Sequence, residues 1–111
     1  MVYNTEILHA DKISIAKAAE LIKQGEIVGM PTETVYGLAA NALDPSAVSK
    51  IFIAKGRPQD NPLIVHISNF DMLDGLADNI PKLVVKCAEK FWAGHLTMIL
   101  PKTDKIPMVT S

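Results

Sequence analysis

The chain has 111 residues, 49% of them hydrophobic and 21% charged, with a formal net charge of −1. That length allows one domain of ordinary size, burying roughly two-thirds of its unfolded surface, and the composition is that of a globular chain rather than a disordered one. A near-neutral balance excludes a general attraction to nucleic acid or anionic membrane, so any anion site must be a local cluster. Cys87 is the single cysteine; an internal disulfide and a cysteine metal site are excluded, and a small buried thiol is the simpler reading. No apolar run approaches the roughly 20 residues of a membrane span. The start, Met-Val-Tyr-Asn-Thr-Glu, is not that of a signal peptide, and the cytoplasm is the expected compartment.

In chain order, Ile15, Ala18, Ala19 and Ile22 keep the i, i+3, i+4, i+7 rhythm of an amphipathic helix. Asp11 or Ser14 is its candidate N-cap, and Gly25 suits the left-handed turn beyond its end. Glu26 to Met30 reads as a short strand stopped by Pro31. Asp44-Pro45 reads as an N-cap followed by proline at the first helical position. The helix it opens is expected to bury Val48, Ile51 and Phe52 and to fail at Gly56 and Pro58. Leu63 to Ile67 is predicted as a second strand, Phe70 to Leu76 as a short helix, and Val84, Cys87, Ala88 and Phe91 as the apolar face of a further helix. Leu96 to Leu100 is predicted as a third strand. Helices alternating with short apolar strands indicate an α/β architecture; at this level parallel and mixed sheets stay equally open.

Two segments carry candidate chemistry. Pro31 to Leu38 follows a strand, where ligands gather in open α/β sheets. Extended, it presents the Thr32 and Thr34 hydroxyls on one side with Tyr36 next in register; the plainer reading is a turn whose threonines bond nearby backbone. The second segment is Lys55-Gly-Arg-Pro, where two cations flank a change of chain direction. One reading is that cations at a helix C-terminus only complement its dipole, at roughly 0.3–1 kcal/mol. Gly56, however, lets backbone approach a ligand, and Pro58 and Pro62 stiffen the loop. Arg57 offers a planar fork for phosphate oxygens and Lys55 a point charge, with the Asn61 amide within the same loop. His66 lies in an apolar strand, ordinarily the place of a core histidine, and gains interest because its strand begins at that loop. Asp71, Asp74 and Asp78 read as a solvated face, and no Walker loop, zinc-protease motif or nucleophile elbow occurs.

Three motifs in series, Pro31-Thr-Glu-Thr-Val-Tyr-Gly-Leu-Ala-Ala-Asn-Ala42, Lys55-Gly-Arg-Pro-x-x-Asn-Pro-Leu63 and Phe91-Trp-Ala-Gly-His-Leu-Thr97, resemble the YrdC-like family. The resemblance runs from about residue 8 to Ser111. It implies an α/β fold with a twisted mixed sheet flanked by helices, of which residues 1–111 form the N-terminal portion of a single domain, C-terminally incomplete. It also implies an enzyme that condenses L-threonine, bicarbonate and ATP into threonylcarbamoyl-AMP and pyrophosphate, for threonylcarbamoyl modification of tRNA position 37. By the same resemblance Thr34 and His66 contact L-threonine, Arg57 and Asn61 contact ATP, and Lys55 serves the nucleotide phosphates. Lys55 and Arg57 are then the catalytic cations, magnesium arrives with ATP, and no protein metal site is expected. The implied partners are tRNA-modification proteins that accept the product.

The chain departs from the family pattern at Ala93 and His95, which replace two prolines, and at Ala40, which replaces a glycine. The family's Gly-Leu-x-Thr-Val segment, which supplies further ligand contacts, would follow Ser111, so little activity is expected of these residues alone. The alternative reading is a non-catalytic module binding nucleotide or double-stranded RNA. A related carbamoyl-transfer domain is disfavoured by the lack of acylphosphatase or zinc-finger regions.

Overall fold

A computed structural model describes residues 3–59 and 61–111. Helix α1 spans Lys12–Lys23, and the Asp11 carboxylate caps it by accepting the Ser14 backbone N–H at 2.8 Å. That bond, with a second from the Ser14 hydroxyl, holds the Asp11 carboxyl below its ordinary range. The helix ends in a Schellman arrangement, Glu26 N–H donating to Leu21 O at 2.9 Å and Gly25 N–H to Ile22 O at 3.1 Å. Strands β1 (Val28–Met30) and β2 (Gly37–Ala39) follow as an antiparallel pair, with Val28 opposite Ala39 and Met30 opposite Gly37. Helix α2 (Pro45–Lys55) opens on Asp44, which accepts from Ser46 N–H and Ala47 N–H at 3.0 and 3.3 Å. It closes as α1 does: Arg57 N–H donates to Phe52 O at 3.0 Å and Gly56 N–H to Ile53 O at 3.3 Å, with Gly56 at φ 61°. A 3-10 turn at Phe70–Leu73 and helix α3 (Lys82–Phe91) complete the elements.

The α/β class therefore holds, with helices and a small antiparallel sheet among the described residues. Among the described residues the buried ones are Gly25 after α1, Ala47, Val48, Ile51 and Phe52 of α2, Val84 and Ala88 of α3, and Ile106 and Thr110 near the C-terminus. Lys50 clips α2 to the end of α1, donating to Gly25 O at 2.8 Å and pairing with Glu26 at 3.3 Å. The segment after α3 lies beside residues 75–78: Asp78 N–H donates to Pro101 O at 2.8 Å and Thr103 N–H to Leu76 O at 3.0 Å.

Several expectations need correction. Leu63–Ile67 and Leu96–Leu100 belong to no β-ladder among the described residues, so the sheet has two strands and not three. Both segments nevertheless keep the strand's period of two: Leu63, Val65 and Ile67 are half-buried while Ile64 and His66 are exposed, and Leu96, Met98 and Leu100 alternate likewise with Thr97 and Ile99. Their side chains obey the pattern, but a ladder also needs a neighbouring backbone. Strand β2 was not expected; it begins within the Pro31 to Leu38 segment and runs on to Ala39. The α1 face is also turned from the expected one: Ser14, Ala18, Leu21 and Ile22 are half-buried, whereas Ile15 and Ala19 are exposed. Cys87 is only half-buried, and Phe91 is exposed.

Gly25 and Gly56 share positive φ values of 82° and 61°, yet their surroundings differ. A Cβ at Gly56 would meet nothing within 4 Å, whereas one at Gly25 would lie 3.2 Å from the Asp44 carboxylate. Gly56→Ala should thus cost only the left-handed backbone term, about 1–2 kcal/mol, and Gly25→Ala more, because it also crowds the α2 cap. Urea midpoints compare the two directly; equal losses would show that the Asp44 contact carries no weight.

Candidate functional site

The Thr34 turn lies between the two strands and is built by its neighbour. The Thr32 hydroxyl oxygen accepts from Thr34 N–H at 3.3 Å and Val35 N–H at 3.2 Å, and its hydroxyl donates to Val35 O. The segment is bent, not extended, so Thr32 does not share an exposed row with Thr34. The plain turn reading thus describes Thr32. The side chain of Thr34 is exposed, as is Tyr36 at 80%.

Lys55 ends α2 and Arg57 follows Gly56, so the two Schellman bonds fix the backbone on which both cations stand. Both side chains are exposed, and among the described residues neither has a carboxylate within 4 Å; the ion pairs are Lys17–Glu6 and Lys50–Glu26. A helix end attracts cations through its carbonyl dipoles, yet two exposed cations two residues apart are also the local requirement for a polyanion. Asn61 is exposed in the bend after this loop.

His66 is exposed, which corrects the reading of a core histidine. The strand phase explains it: Leu63, Val65 and Ile67 take the covered side and leave the imidazole on the other. Lys55, Arg57 and Asn61 thus cluster along one loop, with His66 a few residues further on, while Thr34 comes from a separate turn. No hydrogen bond between these side chains occurs among the described residues. Two shallow depressions, of about 420 and 280 Å³, lie elsewhere, around Lys102–Lys105 and between Phe70 and Trp92. Neither depression is lined by Thr34, Lys55, Arg57, Asn61 or His66.

Among the described residues no cluster of three or more His, Cys, Asp or Glu is placed to hold a metal ion, and no helix is long and apolar enough to cross a membrane. The feature that motif reading missed is Thr110, whose hydroxyl donates to Ala42 O at 2.8 Å and whose carbonyl accepts Leu63 N–H at 2.8 Å. Nothing in Met-Val-Thr-Ser signals that contact, because it depends on chain brought together from far apart.

The Sua5/YciO/YrdC family model, described as "Telomere recombination", matches residues 20–111. A threonylcarbamoyl-AMP synthase of Pyrococcus abyssi is 55% identical over 92 residues, covering 83% of this chain and 27% of that protein. One of Bacillus subtilis is 49% identical over 109 residues, covering 96% of this chain and 32% of that protein. The chain thus spans about a third or less of the length of these relatives. Among solved structures, P. abyssi Sua5 complexed with L-threonine aligns with a TM-score of 0.85 at 51% identity, over 92% of this chain and 30% of that one. With sequence and backbone in agreement along nearly its whole length, the chain belongs to the Sua5/YciO/YrdC family.

Proposed function

We propose that this chain supplies one part of a threonylcarbamoyl-AMP synthase and is the N-terminal portion of its single catalytic domain. The reading rests chiefly on the likeness to a Sua5 structure complexed with L-threonine, at a TM-score of 0.85 and 51% identity. In it, the L-threonine amine condenses with bicarbonate to a carbamate and water. A carbamate oxygen then attacks the α-phosphorus of ATP, forming the mixed anhydride threonylcarbamoyl-AMP as the bond to the pyrophosphate oxygen breaks. Such a transfer needs in-line positioning and charge neutralisation more than a strong base.

The roles follow from what each side chain offers. Thr34 supplies a hydroxyl and His66 an imidazole to threonine, both from exposed positions. Arg57 and Lys55 neutralise the ATP phosphates, and Asn61 adds an amide contact. ATP enters with its own magnesium, and no step runs through a protein-held metal. The product passes to tRNA-modification proteins in the cytoplasm, where ATP and tRNA are at hand.

Pyrophosphate release by the gene product that carries this chain tests the reading. Omitting L-threonine or bicarbonate should each abolish release, and Thr34→Ala should raise the threonine requirement by about five- to tenfold, the loss of roughly one net hydrogen bond, with little change for ATP. Release indifferent to threonine would sink the synthase reading, and RNA retention without it would favour a binding module.

A further inference from the structure

Thr110 is 1% exposed and is the buried polar side chain of the described residues. Its hydroxyl reaches Ala42 O at 2.8 Å, its carbonyl holds Leu63 N–H at 2.8 Å, and its own N–H donates to Pro107 O at 3.0 Å. Ala42 terminates the stretch that leaves the Thr34 turn through β2, and Leu63 begins the stretch that carries His66. One residue therefore ties together the two separate arms that bear the threonine contacts. The cations stand apart from this tie, because their backbone is held by the closing bonds of α2 itself.

We propose that Thr110 is a positioning residue for the threonine side of the site, setting the spacing of the Thr34 and His66 arms; this rests on the synthase reading above. Valine keeps the shape of threonine but leaves the Ala42 carbonyl without its donor. An unpaired, partly buried acceptor is costly, and the arm relieves it by moving outward. Small displacements of positioning groups weaken a site steeply.

Calorimetric titration of the gene product with L-threonine and with ATP separates positioning from stability. Thr110→Val should bind threonine about tenfold more weakly, an effect of one lost buried hydrogen bond, with ATP affinity within about threefold. Thr110→Ser, which restores the donor, should recover threonine binding. Val84→Ala, a cavity in α3 at a residue that makes none of these three bonds, should lower thermal stability while leaving threonine affinity unchanged. A Val84→Ala loss matching that of Thr110→Val, or no recovery with serine, overturns the proposal. Linkage supplies a check on the unaltered protein: bound threonine must in turn strengthen the tie. Threonine should slow amide exchange at Leu63 severalfold and ATP should not; an unchanged Leu63 rate overturns the proposal even if Thr110→Val does not fold. An unaltered protein that binds no threonine overturns the synthase reading itself, whereas one that binds it with Thr110→Val unaffected overturns only the role of Thr110.

Discussion

Replacing Arg57 by alanine should raise the ATP concentration required for half-maximal pyrophosphate release by about ten- to hundredfold. A charge-assisted hydrogen bond to phosphate contributes roughly 1.5–3 kcal/mol, and each 1.4 kcal/mol is a factor of ten. The folded state should scarcely notice, because the Arg57 side chain is exposed and holds no ion pair among the described residues. Its structural service, the N–H donated to Phe52 O, comes from the backbone and survives the substitution. Arg57→Lys should recover only part of the loss, since lysine restores charge but not the two-pronged geometry. The requirement for threonine should remain within about threefold, well below the ATP effect. Steady-state rates with each substrate varied in turn decide the matter: equal losses for both substrates would undo the division between a cationic loop for ATP and the Thr34 and His66 arms for threonine.

The largest effect on stability is expected at Phe52, which is 2% exposed in the middle of the buried α2 face. Phe52→Ala should cost about 3–5 kcal/mol through lost burial and the cavity left behind. A domain of this size holds only about 5–15 kcal/mol in total, so the variant should melt at least 10 °C lower, on the order expected from that loss. The injury should reach the site as well, because the Phe52 carbonyl anchors the turn that carries Arg57. Phe91, aromatic but 59% exposed, provides the contrast; Phe91→Ala should cost less than about half as much, since little area leaves water there. Thermal unfolding followed by circular dichroism compares the two, and similar losses would mean that the core does not centre on α2.

Features governed by local chemistry were legible in the sequence. Asp11, the Asp44-Pro45 pair and the glycines at 25 and 56 act on backbone groups a few residues away, and each does what its type dictates. The cationic turn is legible for the same reason, since it is the end of a helix whose stop signal is Gly56. Features that depend on a distant neighbour were not. The pairing of Gly37–Ala39 with Val28–Met30 requires the intervening turn to bend back, and the turn is set by Thr32, whose bonding to nearby backbone was the plainer reading but whose consequence for strand pairing was not legible. His66 looked like a core residue because its neighbours are apolar; which side of the segment is covered is decided elsewhere in the fold. The α1 stripe shows the same limit, for periodicity predicts that a face exists more reliably than which side chains occupy its centre.

The bond from Thr110 to Ala42 closes a span of 68 residues. Bringing such distant points together carries an entropic cost that the contact itself does not repay. The closure therefore depends on the rest of the fold to hold its two ends in place, whereas the bonds that cap α2 join residues only a few positions apart. The backbone of the cationic turn is fixed by bonds to Phe52 and Ile53, whereas Ala42 and Leu63 are joined only through Thr110. The cationic turn and the stretches leading to Thr34 and His66 are thus held in different ways, one by bonds local to a helix and the other by a contact between distant parts of the chain.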